Sequence, residues 1–268
     1  ITGEQWSVKG SDANNLLNEY DNKKAPLDKE MNQVNQEYRE ARKKGEIAKE
    51  VMDGFYKRAD EITTKERELV VNLIKANTNN VASAFLLGQS YRNMTPETLQ
   101  EIIALKGTFC DTPQFKAVVQ YVEAKKNSQP GVAFTHFEME DVNGVKHNTK
   151  EYVGNGKYVL VDFWASWCGP CRAEMPNVKK AYDTYKDKGF DVLGVSLDTQ
   201  KDAWVKSIEQ LGLNWHHISD LKGWKCKAID IYGFDGIPFM LLVGPDGKIV
   251  AQNLRGEALQ KKLAELLK

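Results

Sequence analysis

The feature that most constrains this chain is Trp167-Cys168-Gly169-Pro170-Cys171, placed directly between the apolar run Tyr158–Phe163 and a helical pattern near residues 170 to 187. A cysteine at the start of a helix faces unpaired backbone N–H groups and the positive end of the helix dipole. Both stabilise thiolate and lower its pKa below the free value of about 8.5. Cys168 is therefore the expected nucleophile. Cys171, three residues on and one turn into the helix, is close enough to resolve a mixed disulfide but too enclosed to start the reaction. The remaining cysteines, Cys110 and Cys226, stand alone. Four cysteines are too few for a disulfide scaffold in a chain of 268 residues. Structural zinc needs a second Cys-x-x-Cys or a spaced His pair, whereas His216 and His217 are adjacent and cannot both point at one ion, so no metal is expected. Nor does so short a loop gain much as an inert disulfide, because closing it removes little chain entropy.

Around this motif the periodicity divides the chain. From Asn14 to about Lys126 the pattern is helical and poor in glycine. Leu27, Met31, Val34, Tyr38 and Ala41 recur at spacings of four and three, the seam of a helix packing on a partner. Pro26 is expected to start or kink that helix. Gly45 breaks the pattern, and Ile47, Val51, Phe55, Ala59 and Ile62 resume it from Glu46 on, so an antiparallel helical hairpin is expected. Thr95-Pro96 and Thr112-Pro113 each read as an N-cap followed by proline in the first turn, predicting helices near 96 to 105 and 113 to 126. This half carries no chemical motif and reads as a packing or spacing domain.

Asn127-Ser128-Gln129-Pro130-Gly131 is a turn-rich break, which sets expected domains of 1–128 and 129–268. Beyond it, strands are expected at 132 to 139, 157 to 165, 190 to 197, 238 to 243 and 248 to 251, with helices near 170 to 187, 200 to 211, 222 to 231 and 257 to 267. Strands alternating with helices imply an α/β sheet covered by helices. Pro245-Asp246-Gly247-Lys248 predicts a tight hairpin between the last two strands.

The run Val161-Asp162-Phe163-Trp164-Ala165-Ser166-Trp167-Cys168-Gly169-Pro170-Cys171, with Ile237-Pro238 and the Gly244–Gly247 turn, resembles the thioredoxin superfamily. Cys171-Arg172-Ala173-Glu174-Met175-Pro176, and a longer stretch before Ile237 than in plain thioredoxin, resemble more narrowly the TlpA/ResA-like thiol–disulfide oxidoreductases of the bacterial envelope. The likeness covers about residues 130 to 268. It implies an α/β thioredoxin-like fold, a central mixed sheet flanked by helices, preceded here by an all-α helical domain. It implies a cis Ile237-Pro238 bond beside the cysteines, whose backbone can pair with an extended substrate strand. Asp162 matches the buried aspartate that accepts the proton of the second cysteine, and Glu174 matches the active-site glutamate of the ResA-like members. Holding both acids departs from many ResA-like sequences, and Glu174 reads equally as an ordinary carboxylate near a helix start. Trp164 is expected beneath the site and Trp167 partly exposed beside it, where tryptophan offers a flat apolar docking surface. With Gly169, Pro170, Ile237 and Pro238 they make the expected substrate-binding residues. Cys110 and Cys226 are expected to be buried structural thiols.

The sequence thus predicts dithiol–disulfide exchange with disulfide-containing protein substrates. The Cys168–Cys171 pair is the redox group, no separate cofactor is needed, and a thiol–disulfide partner supplies electrons. The proline within Cys-Gly-Pro-Cys matches the reducing members of the superfamily. A peroxide-reducing enzyme is the rival reading, although no cysteine follows the Pro-x-x-x-Thr-x-x-Cys pattern of peroxiredoxins. A non-catalytic partner-binding module is another. The 37 Lys and Arg balance 37 Asp and Glu in both halves, so nothing draws the chain to nucleic acid. No apolar run approaches the roughly 20 residues of a membrane span. The start at Ile1-Thr2-Gly3 implies that an upstream segment was removed or is not included. By resemblance the location is the bacterial envelope or periplasm, compatible with an anchor upstream of Ile1, and the cytoplasm is not excluded.

Overall fold

A computed structural model describes residues 10–268, so the Ile1-Thr2-Gly3 start lies outside the described residues. The chain forms two compact units, Ile1–Gln120 and Tyr121–Lys268.

In the first unit, α1 (Asp12–Lys43) begins at Ser11, whose hydroxyl accepts the Asn14 amide. It continues past Pro26, which lies inside the helix and neither starts nor ends it. Helix α2 (Lys49–Ala76) returns antiparallel: Lys24 pairs with Glu66, Glu37 with Arg58, and the rings of Tyr38 and Phe55 meet edge-on at 5.8 Å. The seam residues are covered as expected except Val51, which is exposed, its turn of α2 turning Met52 inward instead. Three shorter helices follow, α3 (Val81–Ser90), α4 (Pro96–Ile103) and α5 (Pro113–Lys126), the unit boundary falling within α5. Thr95 and Thr112 cap α4 and α5 by accepting the amides of Thr98 and Phe115. Helix α3, which has no charged residue in it, has no signature in the sequence because its near-continuous apolar run has no two-sided pattern.

The second unit is a seven-stranded sheet in the order β2-β1-β5-β4-β3-β6-β7. The strands are β1 (Glu138–Asp141), β2 (Lys146–Asn148), β3 (Tyr158–Trp164), β4 (Phe190–Ser196), β5 (His216–Ser219), β6 (Phe239–Val243) and β7 (Ile249–Gln252). Strands β3, β4 and β5 are parallel; the other neighbours pair antiparallel, giving the mixed sheet that the resemblance implied. Its helices are α6 (Gly169–Tyr185), α7 (Lys201–Leu211), α8 (Lys227–Tyr232) and α9 (Gly256–Leu266). The expected strand at 132 to 139 is split. Residues Gly131–Phe134 bond instead to the β6–β7 hairpin, and β1 itself starts at Glu138. The hairpin forms as expected, Gly247 donating to Gly244 and the Asp246 carboxylate accepting the Lys248 amide.

Strand β3 is buried along nearly its whole length because it lies inside the sheet, between β4 and β6. Its odd residues meet an aromatic layer, Phe163 lying 4.9 Å from Phe234 and 5.7 Å from Phe239 between ring centres. Its even residues, Leu160, Asp162 and Trp164, share the other face. Across β3, β4 and β5, Asp162, Gly194 and His217 are in register. Gly194 is required there, since a Cβ at that position would sit 2.3 Å from His217 Nδ1.

Candidate functional site

The carboxyl end of β3 delivers the chain straight into α6, and the turn between them is fixed by buried polar contacts. The Asp198 carboxylate, itself 1% exposed, accepts the Ser166 amide at 3.0 Å, the Ser166 hydroxyl at 2.6 Å and the Ser196 hydroxyl at 2.7 Å. A buried carboxylate that accepts several donors is held in place, and so is the turn it grips. Arg172 adds a bond from Nη1 to the Ser207 hydroxyl at 3.1 Å. Cys168 consequently occupies the N-cap of α6, where its Sγ accepts the Cys171 amide at 3.1 Å.

Cys168 and Cys171 are joined as a disulfide, with Cα atoms 5.2 Å apart. Cys171 is fully buried, whereas Cys168 retains 5% exposure. The accessible side of the pair is thus Cys168, though it is less open than its place at a helix start suggests. Gly169 and Pro170 form the exposed first turn of α6. The Ile237–Pro238 peptide bond is cis, and the Ile237 carbonyl oxygen lies 3.7 Å from Cys168 Sγ. Trp164 is completely buried and Trp167 is 55% exposed.

Asp162 is wholly buried, and neither carboxylate oxygen has a hydrogen-bond partner. Loss of solvation, reinforced by the negative charge of Glu174 and opposed by Arg255, pushes its pKa up to about 7. Glu174 is half-buried and already engaged: Oε1 accepts the Gly256 amide at 2.7 Å at the start of α9, and Oε2 accepts Asn177 Nδ2 at 3.1 Å. Its charge reaches Asp162, but its oxygens hold α9 to α6. Arg255 donates to the Pro238 carbonyl, linking the cis-proline segment to the same turn. The buried His217 imidazole is pushed down to about 3 by loss of solvation and is neutral at physiological pH.

Four contributors escaped the sequence reading. Asp198 and Arg255 act through contacts far apart in sequence. Trp224, 50% exposed and 6.3 Å from Trp167 between ring centres, sits in a turn with no motif. His217, next to His216, offers no sequence signal beyond a metal-ligand reading. Cys110 and Cys226 are both free thiols; Cys226 is buried, its pKa pushed up to about 12 chiefly by loss of solvation, and Cys110 is half-buried. Among the described residues no group of three or more His, Cys, Asp or Glu side chains is arranged to hold a metal ion.

Fold and site together define a thioredoxin-like protein whose redox group is a cysteine pair at a helix start. Residues 130–252 match the profile of the AhpC/TSA family. The thiol-disulfide oxidoreductase ResA of Bacillus thuringiensis subsp. konkukian is 30% identical over 159 residues, covering 59% of this chain and 88% of the relative. The ResA of Bacillus anthracis is 34% identical over 144 residues, 54% of this chain and 80% of that one. A solved thioredoxin domain of a thiol-disulfide oxidoreductase from Bacteroides vulgatus aligns with a TM-score of 0.49 at 35% identity, over 52% of this chain and 99% of the other. This chain belongs to the ResA family of thiol–disulfide oxidoreductases. It is an enzyme of thiol–disulfide exchange, and Cys168–Cys171 is its redox-active pair.

Proposed function

We propose that the protein works as a reductase of disulfides in other proteins, with Cys168 attacking and Cys171 resolving. The observation that carries this reading is the asymmetry of the pair: Cys168 caps α6 beside the Ile237 carbonyl, while Cys171 is sealed beneath it. In the reduced enzyme the Cys168 thiolate, stabilised by the Cys171 amide and the helix dipole, displaces one sulfur of the substrate disulfide and forms a mixed disulfide. Cys171 then gives up its proton and attacks Cys168 Sγ, releasing the second substrate thiol. Asp162 takes that proton; a carboxyl titrating at about 7 is matched to accept and return protons near neutral pH. Glu174 keeps Asp162 basic through its charge while it anchors α9.

Trp167, the exposed Gly169-Pro170 turn and the Ile237-Pro238 backbone form the face that receives substrate, an extended segment pairing with Ile237. The Cys-Gly-Pro-Cys motif supports the reducing direction, which requires a dithiol partner that re-reduces the pair. Resemblance to envelope oxidoreductases supports work in the bacterial envelope, with the helical domain, residues 1–128, selecting or spacing partners. Among the described residues no helix is long and apolar enough to cross a membrane.

Insulin reduction with dithiothreitol as donor tests the reading. Cys168→Ser should lower the rate to background, and Cys171→Ser should accumulate enzyme–insulin adducts cleaved by external thiol. Full activity in Cys168→Ser would contradict it, and rapid peroxide consumption through Cys168 without insulin reduction would favour the peroxidase alternative.

A further inference from the structure

Of the five tryptophans among the described residues, Trp164, Trp204 and Trp215 are buried, while Trp167 and Trp224 are 55% and 50% exposed. The exposed two meet, with ring centres 6.3 Å apart and planes inclined by 52°. An indole left half in water forgoes much of the benefit of burial, and pairing two of them concentrates that apolar surface at one spot. That spot adjoins Cys168, since Trp167 is its chain neighbour.

Trp224 is held there by a turn fixed from several sides. Ser219 Oγ donates to the Ser196 carbonyl and accepts the Leu221 amide. The Asp220 carboxylate accepts the amides of Lys222 at 3.1 Å and Lys227 at 3.0 Å, clamping both ends of the segment. Gly223 adopts φ +58°, and a Cβ there would lie 2.9 Å from Thr199 Cγ2, so the turn leaves no room for another residue. The aromatic ring is therefore presented on a rigid support, which lowers the ordering cost of binding. The same turn carries three exposed lysines, Lys222, Lys225 and Lys227. The Asp220 carboxylate is committed to the amides of Lys222 and Lys227, Asp230 follows one turn into α8, and Glu138, Glu140 and Asp141 line a cavity with Lys222 and Lys227, which leaves Lys225, the chain neighbour of Trp224, as the cation beside the indole pair.

We infer that Trp224 and Trp167 form an aromatic cleft that selects substrates, accepting a polypeptide with a bulky aromatic or aliphatic side chain beside its disulfide cysteine and an acidic residue beyond it. The inference rests on the reductase reading above and adds a substrate class to it. In the reaction the Cys168 thiolate bonds to the peptide sulfur held at the cleft and the partner half leaves as a thiol. Cys171 then displaces the bound half, so two electrons pass from the protein dithiol to the peptide disulfide.

The test uses the whole chain, reduced beforehand with dithiothreitol and freed of it, in single turnovers against two synthetic peptide disulfides of equal length. One carries Phe and Asp beside cysteine, the other Ser and Lys; bis(2-hydroxyethyl) disulfide with wild-type protein reports the exchange chemistry alone. The wild type should favour the Phe-Asp peptide by about tenfold in the second-order rate constant, with the difference lying in the half-saturating peptide concentration. Trp224→Ala should reduce that preference to about twofold or less, Trp224→Phe should keep most of it, and Lys225→Glu should reduce it in part. Equal rates for the two peptides in wild type, or an undiminished preference in Trp224→Ala, would overturn the cleft while leaving the exchange reading intact. Failure of the wild type to reduce any of the three disulfides would overturn both.

Discussion

The helical unit and the α/β unit bury apolar surface in the same manner but treat polar groups oppositely. In the hairpin of α1 and α2, charge stays at the surface, where Glu19 meets Lys23, Glu37 meets Arg58 and Glu30 faces Lys65. In the α/β unit, buried polar atoms lack partners on Asp162, Trp164, Trp204, Trp215 and His217. Unpaired buried polar groups destabilise a fold, so the three that fall on the strands either side of β4, Asp162 and Trp164 on β3 and His217 on β5, mark where stability has been given up for chemistry. The helical unit, built on periodicity and surface pairs, leaves only Arg67 Nε in that condition among the described residues, on a guanidinium whose Nη2 still donates to the Thr64 hydroxyl.

Substitutions can break or sharpen this contrast. The largest effect should come from the apolar core of the helical unit: Ile74→Ala, at a fully buried site, should cost about 2–5 kcal/mol in urea unfolding. A smaller loss there would mean that the unit is loosely packed and the comparison uneven. Next is Asp162→Asn, which should stabilise. Because the folded pKa is raised from 3.8 to about 7, the folded state binds the proton more tightly than the unfolded chain. Wild-type stability therefore falls as pH rises between these values and stays low above them, a penalty on the order of 4 kcal/mol at 1.36 kcal/mol per unit. Melting curves should show the variant's advantage already begun at pH 5 and larger at pH 9, together with slower insulin reduction. Equal pH profiles would remove Asp162 from the account.

Gly194→Ala should cost about 1–3 kcal/mol, because its methyl group would press on the His217 ring. Thermal unfolding that is unchanged would show slack behind the site. The smallest effect belongs to the helical surface, where Arg58→Ala removes an exposed ion pair with Glu37 and should leave thermal unfolding unaltered.

How far the sequence revealed these regions depends on how local the information is. The hairpin, the Thr95 and Thr112 caps and the Cys168 turn are specified by residues within one or two turns of each other, and each stands where its pattern placed it. Strand β5 was not legible: His216-His217-Ile218-Ser219 is short and half polar, and becomes a strand only by pairing with Leu193–Ser196. Asp198 grips Ser166 across 32 residues, and Arg255 reaches Pro238 only once β6 and β7 have formed. Glu174 had two readings from its spacing. The fold gives its oxygens to α9 and its charge to Asp162, which no helical wheel could apportion.

The central claim is the division of labour between the two cysteines, and limited alkylation tests it most directly. The reduced protein is exposed to substoichiometric iodoacetamide across pH 5 to 9, and each cysteine is quantified by peptide mass spectrometry. The account predicts that Cys168 is modified first and already reacts below pH 8, with Cys171 protected until the site opens. Preferential labelling of Cys171, or equal labelling of both at every pH, would contradict it.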